Sequence, residues 1–336
     1  MRDGNRSSFN LWISKNNYIC HEGIANWETI GSRNAFRLMG IAKSNCTFLF
    51  YAKTLNVSFE KTITLGRLRF YAEIKDISRC LEKYKNGAKR LDEVVFKDVY
   101  AEPFFEILGA KTIQSIDYSN YQGATLIHDL NTPIPVNLHN QFSCVIDSGT
   151  LEHIFNFPVA IKSCMEAVQV GGHFIGITPV NNQMGHGFYQ FSPELYYRIF
   201  SEENGFKITR MLVTIPDMEN NPWYEVADPA LVSSRVTVVN NQPLVLMFVA
   251  EKISRKEIFL SPPQQSDYVT IWKNFNASKQ NSGSFSGTGL KNIYHKIMPE
   301  RIQLILRNII GIFRKKEIVS DDLGIINPEY FKRVEI

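Results

Sequence analysis

The sequence predicts an α/β fold, with a doubly wound sheet that is mostly parallel and has an antiparallel final strand. Residues 59–215 alternate short β-rich segments with amphipathic helical segments, which is typical of βαβ units. Four of the β-rich segments are followed by an acid or a glycine, at the edge where open parallel sheets bind ligands. Two later apolar segments, 207–215 and 244–252, predict an antiparallel pair.

The composition is that of a globular protein. Hydrophobic residues make up 44% and charged residues 21% of the 336 positions, which excludes a disordered or collagen-like chain. The net charge of +4 is too small to predict nucleic-acid binding, which normally requires clustered Lys and Arg. Residues 1–14 lack the apolar centre of a signal peptide, and no stretch of about 20 apolar residues predicts a spanning helix. We therefore expect a cytoplasmic protein.

Three parts are predicted along the chain. Residues 1–58 form an N-terminal helical extension with a helical pattern over 34–55, residues 59–256 form the α/β domain, and residues 257–336 form a linker and a C-terminal helical tail. The segment 276–289 is rich in Ser, Gly and Asn, which is typical of a flexible linker.

The tail contains a basic amphipathic helical segment at residues 299–316. Helices of this kind can lie on an anionic membrane surface. The alternative is that its apolar face docks on this domain or on a second subunit of a homo-oligomer. Both alternatives remain open from the sequence.

Five strands of the central sheet are predicted in order, at residues 61–65, 112–116, 124–127, 142–146 and 173–177. At or just beyond the first four of them stand Gly66, Asp117, Asp129 and Asp147. A single aspartate in such a position commonly caps the next helix. Three such acids together favour a ligand site at that edge of the sheet.

Two helices have readable boundaries. The helix between the fourth and fifth strands begins near Pro158, since proline suits the first turn, and is predicted to stop at Gly171. A second helix begins at Ser192 and ends before Gly205.

The five cysteines lie far apart and have no zinc-type spacing, so no metal site is predicted. Cys144 and Cys164 fall within apolar segments, where we expect buried free thiols.

The segment Asp147-Ser148-Gly149-Thr150-Leu151-Glu152-His153 follows the fourth strand, and Gly171-Gly172 directly precedes the fifth. This combination of Leu-Glu-His with a spaced Gly-Gly resembles the class I S-adenosylmethionine-dependent methyltransferases, over residues 59–256. The resemblance implies a Rossmann-like fold, a methyltransferase activity and S-adenosyl-L-methionine as cofactor.

The resemblance also implies residue roles. Asp117 matches the acid that accepts hydrogen bonds from the ribose hydroxyls, and Tyr118 would line the adenine face. Asp129 and Leu130 match positions at the adenine amino group and ring edge. The segment 147–149 matches the stretch beneath the methionine portion, where small residues let the cofactor approach.

The first motif departs from the family pattern. Thr64-Leu65-Gly66-Arg67 has one glycine where the family usually has a Gly-x-Gly turn, and the long spacing to Asp117 implies an insertion around 81–99. Either Arg67 pairs with the methionyl carboxylate in place of backbone donors, or the site is eroded. The missing glycines also argue against a dinucleotide-binding oxidoreductase, and no P-loop sequence is present.

Residues 181–191 combine neutral hydrogen-bonding side chains with aromatics, which favours a polar, uncharged acceptor. His186 lies between two glycines and is the candidate base for an acceptor hydroxyl; the alternative is a hydrogen bond within a tight loop. Tyr189 is a second candidate, with packing on the sheet as its alternative. Glu152 and His153 would border the methyl-transfer site, or simply support the turn after the fourth strand.

The sequence therefore predicts an S-adenosylmethionine-dependent methyltransferase that acts on a small polar acceptor, with O-methylation of a sugar or glycan precursor as the favoured reaction. The alternative is a non-catalytic cofactor-binding or scaffold protein on an eroded methyltransferase fold.

Overall fold

The structure is a computed structural model that describes residues 40–216, 222–280 and 319–336. The predicted helix at 299–316, most of the extension at 1–58 and most of the linker at 276–289 lie outside the described residues. A membrane contact or a homo-oligomer through 299–316 therefore stays a prediction. No helix within the described ranges is long and apolar enough to cross a membrane.

The described residues contain eleven strands. They are β1 (Lys61–Leu65), β2 (Thr112–Asp117), β3 (Leu126–Ile127), β4 (Phe142–Ser148), β5 (Val168–Asn181), β6 (Phe206–Thr214), β7 (Trp223–Val226), β8 (Leu244–Lys252), β9 (Val319–Asp321), β10 (Gly324–Ile326) and β11 (Phe331–Val334). Nine of them form one sheet, in the order β11-β7-β6-β8-β5-β4-β1-β2-β3, and β9 and β10 form a separate antiparallel pair.

The sheet has a parallel and an antiparallel half. Strands β1 to β5 pair in parallel, and β1 lies between β2 and β4. Strand β8 runs antiparallel to both β5 and β6. The Rossmann-like doubly wound fold is therefore confirmed, including the predicted antiparallel strand. Because the strand order reverses between β1 and β4, the crevice expected to bind ligands lies at their carboxyl ends.

The C-terminal part of the chain differs from the prediction. Residues 276–280 belong to a helix rather than a linker, and Phe331–Val334 form the edge strand β11, antiparallel to β7, where a helical tail was predicted. Strand β11 is four residues long and carries Lys332 and Arg333 at its centre. Charged side chains of this kind are common on edge strands, but so short a segment has no periodicity from which a strand can be predicted.

Seven α-helices connect the described strands. They are α1 (Lys43–Thr54), α2 (Ile74–Tyr84), α3 (Glu102–Leu108), α4 (Phe157–Ala167), α5 (Pro193–Ile199), α6 (Pro229–Val232) and α7 (Ser266–Gln280). Helix α4 ends at Ala167, before the predicted stop at Gly171, because β5 already begins at Val168. Gly171 instead lies where the pairing between β4 and β5 shifts register.

Helices cover both faces of the sheet. On one face, α1, α2 and α3 pack over a core that includes Ile146 and Met247, and on the other α4 and α5 pack over a core that includes Val145 and Phe248. Because both faces are buried, a central strand such as β8 is continuously apolar, from Leu244 to Ala250. Four cysteines, Cys144 and Cys164 among them, are buried free thiols, as predicted for these two.

Gly176 is required at the centre of this sheet. It pairs with Phe248 across β5 and β8, and a Cβ atom at Gly176 would lie 2.2 Å from the Phe248 ring. Since Phe248 is fully buried, we expect Gly176→Ala to lower the free energy of unfolding by about 1–3 kcal/mol or more. Urea denaturation tests this, with Gly185→Ala as control because no atom lies within 4 Å of its Cβ position. Equal stability of the two variants would contradict the packing described.

Lys252, at the end of β8, is buried and donates hydrogen bonds to the carbonyls of Met165 (3.0 Å) and Val168 (2.8 Å). Burial and the nearby Arg255 lower the pKa of Lys252 to about 8. Between pH 8 and 10 the unfolded chain therefore binds more protons at this lysine than the folded chain does, so the stability contributed by Lys252 rises with pH.

We expect the wild type to gain stability relative to Lys252→Met as the pH is raised from 7 to 9.5. The comparison uses the difference in free energy of unfolding between the two proteins, so that the titration of the buried cysteines, common to both, cancels. The prediction is contradicted if the free energy of unfolding of the wild type, minus that of the variant, stays constant or falls as the pH is raised. Lys252 would then keep its ordinary titration in the folded protein.

Candidate active site

The turn after β1 brings three strand ends together. Gly66 has φ +72°, and its N–H donates to the carbonyl of Ile116 (2.8 Å) while the Thr64 hydroxyl donates to the Gly66 carbonyl (2.7 Å). A Cβ atom at Gly66 would lie 3.6 Å from Thr150 Oγ1 and 3.8 Å from Asp117 Oδ2. The single glycine of the first motif therefore permits the left-handed turn at the point where β1, β2 and β4 meet.

Asp117 and Thr150 are the polar side chains at this convergence. Asp117 ends β2 and is half-buried, and its Oδ1 accepts a long hydrogen bond from Ser119 N (3.4 Å). The Thr150 hydroxyl donates to the Leu65 carbonyl (2.9 Å), which ties the segment after β4 to the end of β1. Thr150 stands within the 147–153 motif, but its role does not follow from the sequence because its partner, Leu65, is distant in the chain.

Arg67 is already paired. Its Nε donates to Glu102 Oε1 at 2.5 Å, a second nitrogen lies 3.4 Å from Asp98 Oδ2, and the guanidinium lies 3.8 Å from the centre of the Tyr100 ring. These two carboxylates balance its charge. The geometry therefore argues against the predicted pairing of Arg67 with a methionyl carboxylate.

The residues around the end of β3 lie in different environments. Asp129 Oδ1 accepts hydrogen bonds from the backbone and side chain of Asn131 (2.9 and 2.8 Å), and these bonds lower the Asp129 pKa. This is the turn-capping role that a single aspartate commonly has. Leu130 is buried in the core, whereas the Tyr118 side chain is 74% exposed in the loop after β2.

The side chains of Asp147 and Ser148 lie inside the protein. Asp147 Oδ1 accepts from the N–H groups of Thr150 (3.0 Å) and Leu151 (3.2 Å), which holds the turn after β4. The Ser148 hydroxyl donates to the Gly40 carbonyl (2.9 Å) and accepts from Asn45 Nδ2 (3.2 Å). Gly149 turns the chain with φ +84°. The two predicted cofactor-binding side chains thus make internal contacts, and β4 alternation places them on opposite faces of the sheet.

Three residues that the sequence singled out separately lie together. Glu152 and His153 end a 3-10 turn at Leu151–His153, and His186 lies in the loop after β5. Glu152 Oε1 is 3.3 Å from His186 Nε2, and the rings of His153 and His186 have centroids 5.1 Å apart. We name these three residues the Glu-His-His cluster.

The backbone of Glu152 anchors the loop that carries His186. The Glu152 carbonyl accepts from the N–H groups of Phe188 (2.8 Å) and Tyr189 (3.2 Å). A Cβ atom at Gly187 would lie 2.8 Å from that carbonyl oxygen. Gly187 therefore allows the loop to approach Glu152 closely enough to bring His186 beside its carboxylate.

Tyr189 has contacts that suit packing rather than chemistry. Its hydroxyl donates to the Phe155 carbonyl (2.7 Å), and its ring lies against Phe157 and Phe191 in the core. Phe155 and Phe188 nearby are exposed and meet edge-on, with ring centroids 6.1 Å apart. These exposed rings give the loop an aromatic surface beside the Glu-His-His cluster.

Two buried carboxyl groups dominate the electrostatics of this region. Burial and the neighbouring Glu152 raise the pKa of Asp147 well above its usual range, and burial together with both acids raises the pKa of Tyr196. Burial lowers the pKa of His153, which favours its neutral form. Among the described residues, no lysine or arginine forms an ion pair with Asp147 or Glu152.

No protein-family model and no curated protein sequence matches this chain. Among solved structures, it aligns with the 1,6-didemethyltoxoflavin-N1-methyltransferase of Burkholderia thailandensis, crystallised with S-adenosylhomocysteine, at 10% identity and a TM-score of 0.34, over 76% of this chain and 94% of that chain. It also aligns with the branched-chain polyamine synthase of Thermus thermophilus, crystallised with 5′-methylthioadenosine, at 12% identity and a TM-score of 0.35, over 76% of this chain and 65% of that chain. At such values the alignments carry no functional argument. The strand order itself establishes the Rossmann-like fold.

Proposed function

We propose that this protein is an S-adenosylmethionine-dependent methyltransferase that acts on a small polar acceptor. The observation that carries the proposal is the convergence of Gly66, Asp117 and Thr150 at the point where the strand order reverses. Ligands of open α/β sheets bind in that crevice. The Glu-His-His cluster begins two residues beyond Thr150, so a polar reaction site adjoins the proposed cofactor site.

Asp117 supplies the main polar contact for the cofactor in this proposal. Its half-buried carboxylate accepts hydrogen bonds from a ribose diol, as an acid at the end of the second strand is suited to do. Gly66 lets the ligand approach the backbone between β1 and β4. Asp129 keeps one carboxyl oxygen beyond the Asn131 contacts for the adenine amino group.

The Glu-His-His cluster and its loop form the acceptor side. S-adenosylmethionine supplies an activated methyl group, so the protein needs to align the acceptor and to handle its proton. The Glu152 carboxylate lies 3.3 Å from His186 Nε2, beside the imidazole that would handle the acceptor proton. The neutral polar loop and the exposed rings of Phe155 and Phe188 support a sugar or a similar uncharged, hydroxyl-bearing acceptor.

Titration calorimetry with S-adenosylmethionine and S-adenosylhomocysteine is the direct test of the cofactor. We expect both ligands to bind at one site per chain, and absence of binding by folded protein would refute the proposal. A screen of nucleotide sugars and glycan precursors with labelled methyl donor then tests the acceptor class. Binding without transfer to any hydroxyl-bearing acceptor would instead support the non-catalytic alternative.

A further inference from the structure

We propose that Glu152, His153 and His186 bind a divalent transition-metal ion. One ligand-type atom from each of the three side chains lies within 4.8 Å of the other two. The sequence predicted no metal site, because only two of these residues are adjacent and the third arrives through the fold. The loop contacts to the Glu152 carbonyl are what bring it there.

The closest pair in the cluster has the separation of two metal ligands. Atoms that share a tetrahedral zinc ion at about 2.0–2.2 Å lie about 3.3–3.6 Å from each other, and Glu152 Oε1 is 3.3 Å from His186 Nε2. That contact is not aligned as a hydrogen bond, since neither atom has a hydrogen-bond partner in the described part of the chain. His153 Nε2 is likewise unpartnered there. The ligand atom of His153 lies within 4.8 Å of those of Glu152 and His186.

The burial of Glu152 provides an independent reason for a cation. Its side chain is 0% exposed, and neither carboxyl oxygen has a hydrogen-bond partner among the described residues. An uncompensated buried carboxylate is strongly destabilising. Asp147 Oδ2 is also buried and has no hydrogen-bond partner there. A divalent ion beside Glu152 would offset the charge of its carboxylate.

A second histidine–glutamate pair shows how an ordinary one differs. His139 Nε2 lies 3.6 Å from Glu166 Oε2, but both side chains are partly exposed and Lys162 also reaches Glu166, at 4.0 Å. Water and a lysine thus compensate Glu166. Glu152 has neither at its fully buried carboxylate, which is why the two pairs are expected to behave differently toward metal ions.

The donor set indicates the class of ion. Two imidazoles and one carboxylate suit zinc and other divalent first-row transition metals, whereas Mg²⁺ and Ca²⁺ favour all-oxygen sites. Three protein ligands leave at least one coordination position open. An acceptor hydroxyl bound there would become more acidic, which would give the ion a place in the proposed reaction. Metal binding itself does not depend on that reaction.

The test uses the full chain after removal of metals with a chelator. Calorimetry with ZnCl₂, and visible absorption of the Co²⁺-loaded protein, are compared for wild type, Glu152→Gln and His186→Ala, with His139→Ala as the matched control. We expect one ion per chain in wild type and in the control, and affinity at least about 10-fold weaker in the two cluster variants. Circular dichroism establishes that each variant is folded.

Two results would overturn the proposal. One is the absence of Zn²⁺ and Co²⁺ binding by folded wild type, and the other is equal binding by wild type and both cluster variants. S-adenosylhomocysteine affinity of the same samples, measured without metal, separates this outcome from a failure of the proposed function. If the His186→Ala chain does not fold, the near-isosteric Glu152→Gln variant still decides the question.

Discussion

Alanine at His186 is expected to lower methyl-transfer turnover by about 10²–10⁴-fold, the usual contribution of a positioned proton acceptor. His186 Nε2 faces the buried Glu152 carboxylate, and no other side chain of the loop after β5 is held so close to a charge. The loss is expected whether the imidazole takes the acceptor proton directly or holds a metal ion that does the same work. Cofactor affinity should stay near that of the wild type, because the loss lies in the chemical step.

The control for this experiment is His139→Ala, which removes an imidazole from a histidine–glutamate pair near the amino end of β4. It should turn over acceptor at the wild-type rate. If His186→Ala also keeps the wild-type rate, the imidazole has no catalytic role. The loop would then need only the backbone hydrogen bond from His186 N–H to the Gln183 carbonyl (3.0 Å), which alanine retains. Addition of Zn²⁺ to the assay separates the two chemical roles, since only a metal-dependent enzyme responds.

The parallel half of the sheet was predictable because its strands are buried on both faces. Such strands are short segments rich in β-branched and apolar residues with clear ends, and β1 matches its predicted bounds, 61–65, at both ends. The outer strands were not predictable. Strands β7 and β11 have four residues each. Strand β7 pairs along the edge of β6, and β11 reaches the edge of β7 from far along the chain. A local sequence pattern contains neither of these edges.

The candidate site divides along a similar line. Strand ends locate Gly66 and Asp117, because topology places the carboxyl ends of parallel strands at one edge. The partners of the side chains could not be predicted. Neither the ion pair of Arg67 with Glu102 nor the hydrogen bond from Asn45 to Ser148 follows from sequence spacing, since each joins residues from separate elements. The approach of the His186 loop to Glu152 likewise depends on Gly187, where a Cβ atom would meet the Glu152 carbonyl.

Alanine at Asp117 is expected to weaken cofactor binding by about 1–3 kcal/mol, because the ribose hydroxyls would lose a half-buried acceptor. That range corresponds to about 5–150-fold in the dissociation constant. S-adenosylhomocysteine and 5′-methylthioadenosine should be weakened alike, since both carry the ribose diol and only the first carries an amino-acid carboxylate. Asp92→Ala, which removes an acid exposed in a turn and paired with Arg90, is the control for net charge and should leave both affinities unchanged.

Calorimetry on the folded variants measures both dissociation constants. Unchanged binding of both ligands to Asp117→Ala would remove the ribose contact on which the proposed cofactor site depends. A loss confined to S-adenosylhomocysteine would move Asp117 to the amino-acid end of the crevice.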